Sequence, residues 1–170
     1  MNKKDHILNG GLLGIGLGFV LHPEGNVQTL VTMAAVFVPV VLGALFPDID
    51  TEFGKHRKTL HNVFVVALLY GYTIYFGNLQ WVWIGVVSHF VLDVLGSKRG
   101  IALFYPLWDE EFGTPVGVTT ASQYATVITI VITLVELAAV YALLTYAPSV
   151  IPNVDLSAVS VQALGLAPWV

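Results

Sequence analysis

Residues 124–147 read YATVITIVITLVELAAVYALLTYA, an unbroken apolar run with a single charged residue, Glu136. A helix needs about 20 predominantly apolar residues to cross a bilayer. A barrel strand would instead show short alternating segments, so this run predicts a transmembrane helix. Four further runs of the same kind precede it, at about 7–22, 27–46, 62–77 and 79–95. The third and fourth are short for full spans and would need tilt or flanking loop residues to cross. Together the runs predict an all-α, polytopic membrane bundle of about five transmembrane helices over residues 1–147. A tail over 148–170 is left outside the membrane or lying in its interface, with the semi-apolar stretch 154–166 as a short interfacial helix.

The composition of the whole chain agrees with that reading. Of 170 residues, 56% are apolar and only 11% are charged, against roughly 25% charged in an ordinary soluble domain. The mean hydropathy is +0.78. Such a chain has too little polar surface to coat a water-soluble fold, so its solvent is the lipid bilayer. A soluble enzyme, a disordered protein and a nucleic-acid binder are excluded on the same ground. There is no cysteine, so disulfides, thiolate metal sites and cysteine nucleophiles are excluded too, and any metal must sit on His, Asp and Glu.

The first run carries Gly10, Gly11, Gly14, Gly16 and Gly18. Small residues at three- and four-residue spacing let a neighbouring helix approach closely, although such glycines also occur as mere space-fillers. Pro39 is expected to kink the second run. Lys3 and Lys4 ahead of an apolar stretch resemble a signal peptide, but no small-x-small cleavage site precedes Leu21-His22-Pro23, which favours a retained helix. With five spans, all seven basic residues (Lys3, Lys4, Lys55, Arg57, Lys58, Lys98 and Arg99) fall on one side. The positive-inside rule makes that side, and the N-terminus, cytoplasmic.

In so charge-poor a chain the remaining ionisable groups at the membrane edge are candidates for function, because burying them unpaired is costly. Asp48 and Asp50, in Pro47-Asp48-Ile49-Asp50, can turn two carboxylates toward one cation; the alternative is a solvated turn at a helix end. His56-Arg57-Lys58-Thr59-Leu60-His61 brings two imidazoles to the start of the third run, next to Asn62, a candidate helix cap. Imidazole is the commonest metal-binding side chain and a general base near neutral pH. Arg57 offers a bidentate fork for phosphate, or simply helps to set topology. His89 and Asp93, one helical turn apart inside the fourth run, share a face and can chelate one metal or pair with each other. His6, just before the first run, lies at the same membrane face. His22 lies on the opposite side and is left out. Glu136 is expected to hydrogen-bond across the bundle, outside the site. No glycine-rich phosphate loop, serine elbow or His-Glu-x-x-His motif is present.

In order and spacing these pieces resemble the YdjM-like membrane proteins, described as membrane-bound, metal-dependent hydrolases. The resemblance rests on Asp5-His6-Ile7-Leu8, Gly43-Ala44-Leu45-Phe46-Pro47-Asp48-Ile49-Asp50, His56-Arg57 with His61, His89-x-x-x-Asp93, and Gly100 with Pro106, over about residues 5–115. Thr51 and Asn62 depart from the family pattern, which often has a polar residue such as His at the first position and Ser or Thr at the second. The resemblance implies a helical membrane hydrolase using one or two divalent ions, zinc foremost.

The expected metal ligands are His6, Asp48, Asp50, His61, His89 and Asp93. His56, Arg57 and Asp50 are the expected catalytic groups: a base from His56 or the spare Asp, and a phosphoryl clamp from Arg57 aided by Lys98 and Arg99. The expected substrate is a phospholipid or another amphipathic phosphoester at the cytoplasmic membrane face. A non-enzymatic reading, a structural or transport-related metal site, remains beside it. The nearly apolar outer halves of the helices speak against a channel.

Overall fold

The computed structural model describes residues 1–119 and 121–150, with side chains described to residue 146, and is all-helical over them. Five α-helices follow in order: α1 (Lys3–Leu21), α2 (Val27–Leu45), α3 (Val63–Phe76), α4 (Val82–Gly96) and α5 (Ala125–Val150). A 3-10 turn, Pro47–Glu52, continues from α2. Of the five spans expected, two segments among the described residues, Val27–Glu52 and Ala125–Tyr146, are long and apolar enough to cross a membrane by length and composition; α1 does not meet that measure, and α3 and α4 are shorter apolar helices. At about 1.5 Å rise per residue, the 14 residues of α3 and 15 of α4 extend only about 21–23 Å. The interfacial helix expected at 154–166 lies outside the described residues.

Local chemistry explains where the helices begin. Asn2 accepts from the Asp5 amide at 3.1 Å and its own amide donates to the Asp5 carboxylate at 3.0 Å, a reciprocal cap that satisfies two otherwise orphaned donors. The cap starts α1 at Lys3, ahead of the apolar run at residue 7, and fixes His6 in the first full turn. Asn62 accepts from the Val65 amide at 3.2 Å, capping α3 as its position suggested. Leu79 has φ 54°, so the chain turns there and α4 starts at Val82, later than the apolar run beginning at 79. Pro39 stays within a helix that runs on to Leu45.

Glycines set the packing. A Cβ on Gly14 would stand 2.7 Å from the Phe37 backbone, and one on Gly10 would stand 2.8 Å from the Ala44 side chain. The small-residue face of α1 therefore lies directly on α2. Between α2 and α4 the approach is closer still, since a side chain on Gly43 would meet the Val82 carbonyl and one on Gly85 the Val40 carbonyl. Leu13, Leu17, Val36, Val40 and Trp81 fill the space between these helices. α5 lies against α1 and α4, with Leu92, Ala125 and Ile132 buried at its inner end. α3 stands apart, with Thr73 its one buried residue.

The distribution of polarity is inverted relative to a soluble protein. Ile15, Phe19, Val38, Leu42, Leu68, Ile74, Val131 and Leu134 face outward, whereas His6, Asn9, Asp50, His61, Ser88, His89 and Asp93 are buried. Lipid as the outer solvent accounts for both halves of that pattern.

Candidate metal centre

The ends of α1, α2, α3 and α4 that meet at one end of the bundle bring their His and Asp side chains into one cluster. His89 is held from α4 by its Nδ1, which donates to the Ala44 carbonyl at 2.7 Å. That carbonyl belongs to the last turn of α2, whose acceptors lack helical partners. The Gly43–Gly85 approach one turn away brings it within reach. His61 is held by Asp50: its Nδ1 donates to Oδ2 at 2.9 Å. A carbonyl and a carboxylate can only accept, so both Nδ1 atoms carry the proton. In the neutral rings both Nε2 atoms therefore present bare lone pairs.

Those two Nε2 atoms face each other at 3.0 Å. The Asp48 Oδ1 lies 3.8 Å from the His61 Nε2 and 3.7 Å from the His89 Nε2. Asp93 Oδ2 lies 3.8 and 3.6 Å from the same two atoms. With metal–ligand bonds of 2.0–2.2 Å, tetrahedral donors stand about 3.3–3.6 Å apart. These two nitrogens and two oxygens could serve as donors to one divalent ion, and the two nitrogens facing each other at 3.0 Å would share either such an ion or a proton. His61 is fully buried, and burial, with the His89 ring beside it, pushes its pKa down to about 4. It therefore remains a neutral donor at physiological pH.

The other expected residues stand around these four. Asp50 is fully buried, and its second oxygen, Oδ1, lies 3.0 Å from His56 Nδ1. It thus orients two imidazoles at once, as carboxylates behind metal-binding histidines do. The His56 side chain is 40% exposed, so its ring reaches solvent while its Nδ1 is held. His6 stacks flat on His89 at 3.7 Å. Its Nε2 lies 3.4 Å from Asp93 Oδ1, and neither ring nitrogen has a hydrogen-bond partner. His6, His89 and Asp93 form one close triad of potential ligand atoms, and Asp48, His56 and His61 another.

Arg57 is buried, in a left-handed conformation with φ 69°. Its Nη1 donates to Ser97 Oγ at 3.1 Å, Arg99 O at 2.5 Å and Gly100 O at 3.3 Å. It also approaches Asp93 Oδ2 at 3.8 Å. The guanidinium thus pins the loop after α4 to the cluster. Arg99 turns away to a bidentate pair with Glu111 at 2.8 and 2.7 Å. Access comes from a cavity of about 630 Å³ bordered by Met1, Lys3, Asp48, Thr51 and His56, among others.

Two participants escaped the sequence reading, and a third was foreseen only through Glu136, which does hydrogen-bond across the bundle as expected. The Ala44 carbonyl is a backbone atom and has no residue signature. The Met1 amino group meets Asp93 Oδ1 at 2.6 Å, a contact across 92 residues that no local pattern encodes. The third is a polar cluster deeper in the bundle, where Asn9 Nδ2 donates to Thr133 Oγ1 at 2.9 Å and Glu136 Oε2 at 2.8 Å. Ser88 joins it by donating to Asn9 Oδ1. Its signal was present, since Asn9 follows His6 by three residues and Ser88 precedes His89. His22 pairs with Glu24 at 3.1 Å at the other end of α1.

One comparison with known proteins found a match, and it agrees with a membrane location. No match was found among curated proteins or among solved structures. The family described as YdjM inner membrane protein matches residues 1–163, and with that span the chain belongs to the YdjM family of inner membrane proteins.

Proposed function

We propose that this protein is a metal-dependent membrane hydrolase that activates water against a phosphoester at the cytoplasmic face. The observation that carries the reading is the pair of bare Nε2 atoms, on His61 and His89, facing each other at 3.0 Å between the Asp48 and Asp93 carboxylates. These four residues would hold the ion. Zinc suits two imidazoles and two carboxylates, and when bound it supplies Lewis acidity and water activation near neutral pH. His6, with Asp93 Oδ1, offers a second ligand set beside the first.

The residues around the ion have distinct tasks. Asp50 fixes the ring orientation of His61 and His56 together. His56, held at Nδ1 and open to solvent, accepts the proton from the attacking water. Asp48 is the one residue of the four with appreciable exposure, 24% of its side chain, so water and substrate would approach a bound ion from its side. Arg57 holds the loop after α4 against Asp93 and balances that carboxylate's charge. Its Nη1 is engaged with that loop, so it acts through structure before it acts on a phosphoryl oxygen.

The topology that suits this chemistry has five spans, with the N-terminus and the cluster on the cytoplasmic side. All seven basic residues then lie on that side, and the short helices α3 and α4 cross with the help of their flanking residues. Residues 1–147 form the membrane domain and 148–170 a tail on the far side.

A structural metal site is the second reading, and one observation favours it: four protein donors are enough to close a tetrahedron. Metal analysis of the purified protein, paired with a phosphodiesterase assay, separates the two. A hydrolase holds about one metal equivalent or more, turns over a phosphodiester, and loses both in Asp93→Ala. His56→Ala should keep the metal and lose about 100-fold or more in rate. Bound metal without turnover of any phosphoester supports the structural site, and equal metal content in Asp93→Ala overturns the ligand set.

A further inference from the structure

The cavity beside Asp48 has two unlike walls. One is polar, with Lys3, Asp48, Thr51, Glu52 and His56 at the mouth of the candidate metal centre. The other is apolar, made by Leu42, Leu45, Phe46 and Ile49. Those four lie on the segment Val27–Glu52, which is long and apolar enough to cross a membrane. At Leu42, 53% exposed, the apolar wall opens onto the outer surface of α2, which continues one turn away through Val38, 55% exposed, while Phe46 also packs inward against Val86, Phe90 and Ile101. Ile49, 48% exposed, stands next to Asp48. A water-soluble substrate would have no use for such a wall. An amphiphile already in the bilayer could slide its head to the candidate metal centre while its chain stays against α2.

We propose that the cavity between α1, α2 and the 3-10 turn is a lateral entrance for a bilayer lipid, whose phosphate head meets Lys3 and His56 beside the candidate metal centre while an acyl chain lies on Leu42, Leu45 and Ile49. The inference rests on the hydrolase reading for the chemistry at the head, but the entrance is a binding feature in its own right. Its volume, about 630 Å³, is in the range of small-molecule sites, about 300–1,000 Å³. It holds a head and the first part of a chain, with the remainder in the bilayer.

Two measurements on the full chain in nanodiscs test the entrance. In the first, a phospholipid with a photoactivatable group on its acyl chain labels the wild-type protein, and a water-soluble dihexanoyl phospholipid is added as competitor. Labelling at Leu42, Leu45 and Ile49 should fall about tenfold, whereas labelling of Leu68 on α3, 72% exposed and away from the cavity, should stay unchanged. Equal response at the two places, or no protection at the mouth, overturns the proposal.

In the second, Leu42→Trp, on α2 ahead of the 3-10 turn, narrows the entrance without touching a proposed ligand. Turnover of a long-chain phospholipid should fall about tenfold while turnover of bis(p-nitrophenyl) phosphate stays within about twofold. An equal loss on both substrates, or no loss on either, counts against lateral entry. If the wild type hydrolyses neither substrate but the mouth is protected, the lipid entrance stands and the hydrolase reading falls. If it hydrolyses the soluble ester and the mouth is unprotected, the hydrolase reading stands and the entrance falls.

Discussion

The contact of α1 with α2 and the contact of α3 with α4 are built on opposite principles. On α1, Gly10 and Gly14 set backbone against α2 so closely that a single added carbon would stand 2.8 and 2.7 Å from its neighbours. On α3, Leu68, Ile74 and Tyr75 are 72%, 68% and 83% exposed, and a cavity of about 750 Å³ lies between α3 and α4, lined by Val66, Tyr70, Val87 and Phe90 among others. Yet both regions contribute to one cluster, His6 and Asp48 from the tight side and His61 from the loose one. The difference teaches where precision is needed. In the tight region, helix-on-helix contact places the candidate ligands. In the loose region the helix contributes little, and His61 is positioned by hydrogen bonds outside it: Asp50, from the 3-10 turn after α2, on Nδ1, the Asn62 cap, and Asn62 Nδ2 donating to the Lys58 and Thr59 carbonyls at 3.0 and 2.9 Å.

The contrast breaks most visibly at the glycine crossing. Gly85→Leu should abolish the α2–α4 contact and separate His89 from Ala44. We expect loss of most folded protein in size-exclusion profiles and of nearly all bound metal, because overpacking a close contact costs about 1–3 kcal/mol or more. Asp50→Ala tests the loose side, where one carboxylate does the positioning. Metal affinity should fall about 10–100-fold with the protein still folded, as measured by competitive chelation. If Asp50→Ala were as damaging to folding as Gly85→Leu, the distinction between the two regions would fail.

Acidity probes the same loop more gently. His61 has its pKa lowered from 6.5 to about 4 by burial and the neighbouring His89, so the proton competes with metal only well below neutrality. For a group lowered on folding, protonation favours the unfolded chain, and stability is lost as pH falls from 6.5 toward 4. Metal retention in equilibrium dialysis should accordingly stay flat from about pH 8 to 6 and decline below that. A decline centred near pH 6.5 would show an unshifted histidine and a more open site. The smallest effect belongs to α3 itself. Leu68→Ala should change thermal stability by no more than about 0.5 kcal/mol, as expected for a residue away from packed contacts, and leave metal content intact. A loss of metal there would show that α3 packing matters after all.

Much of this was legible in the linear chain, for a simple reason. A bilayer makes apolar length the cost of entry, so five helices announce themselves, and scarce polar residues stand out against that background. His61, His89, Asp48 and Asp93 were visible as chemistry at one end of the runs. Their division of labour was not. Asp48 and Asp50 are two residues apart in the same motif, yet one faces the two Nε2 atoms and the other stands behind His61 and His56. Only the path of the 3-10 turn separates them, and no spacing rule carries that information. Arg57 reads as a phosphate clamp by residue type, whereas its left-handed backbone and three loop acceptors show a brace.

The bond from His89 to the Ala44 carbonyl has a consequence for how this chain can vary. Histidines that bind metals are commonly oriented by a side chain, which a point mutation can delete. Here the orienting atom is main chain, so no substitution at position 44 removes it. What position 44 can lose is smallness, since its methyl group already faces Gly10 at the α1 contact. Drift at this position is therefore constrained by volume alone, and the protonation pattern of a buried ring is inherited through the thickness of a helix rather than through a functional group.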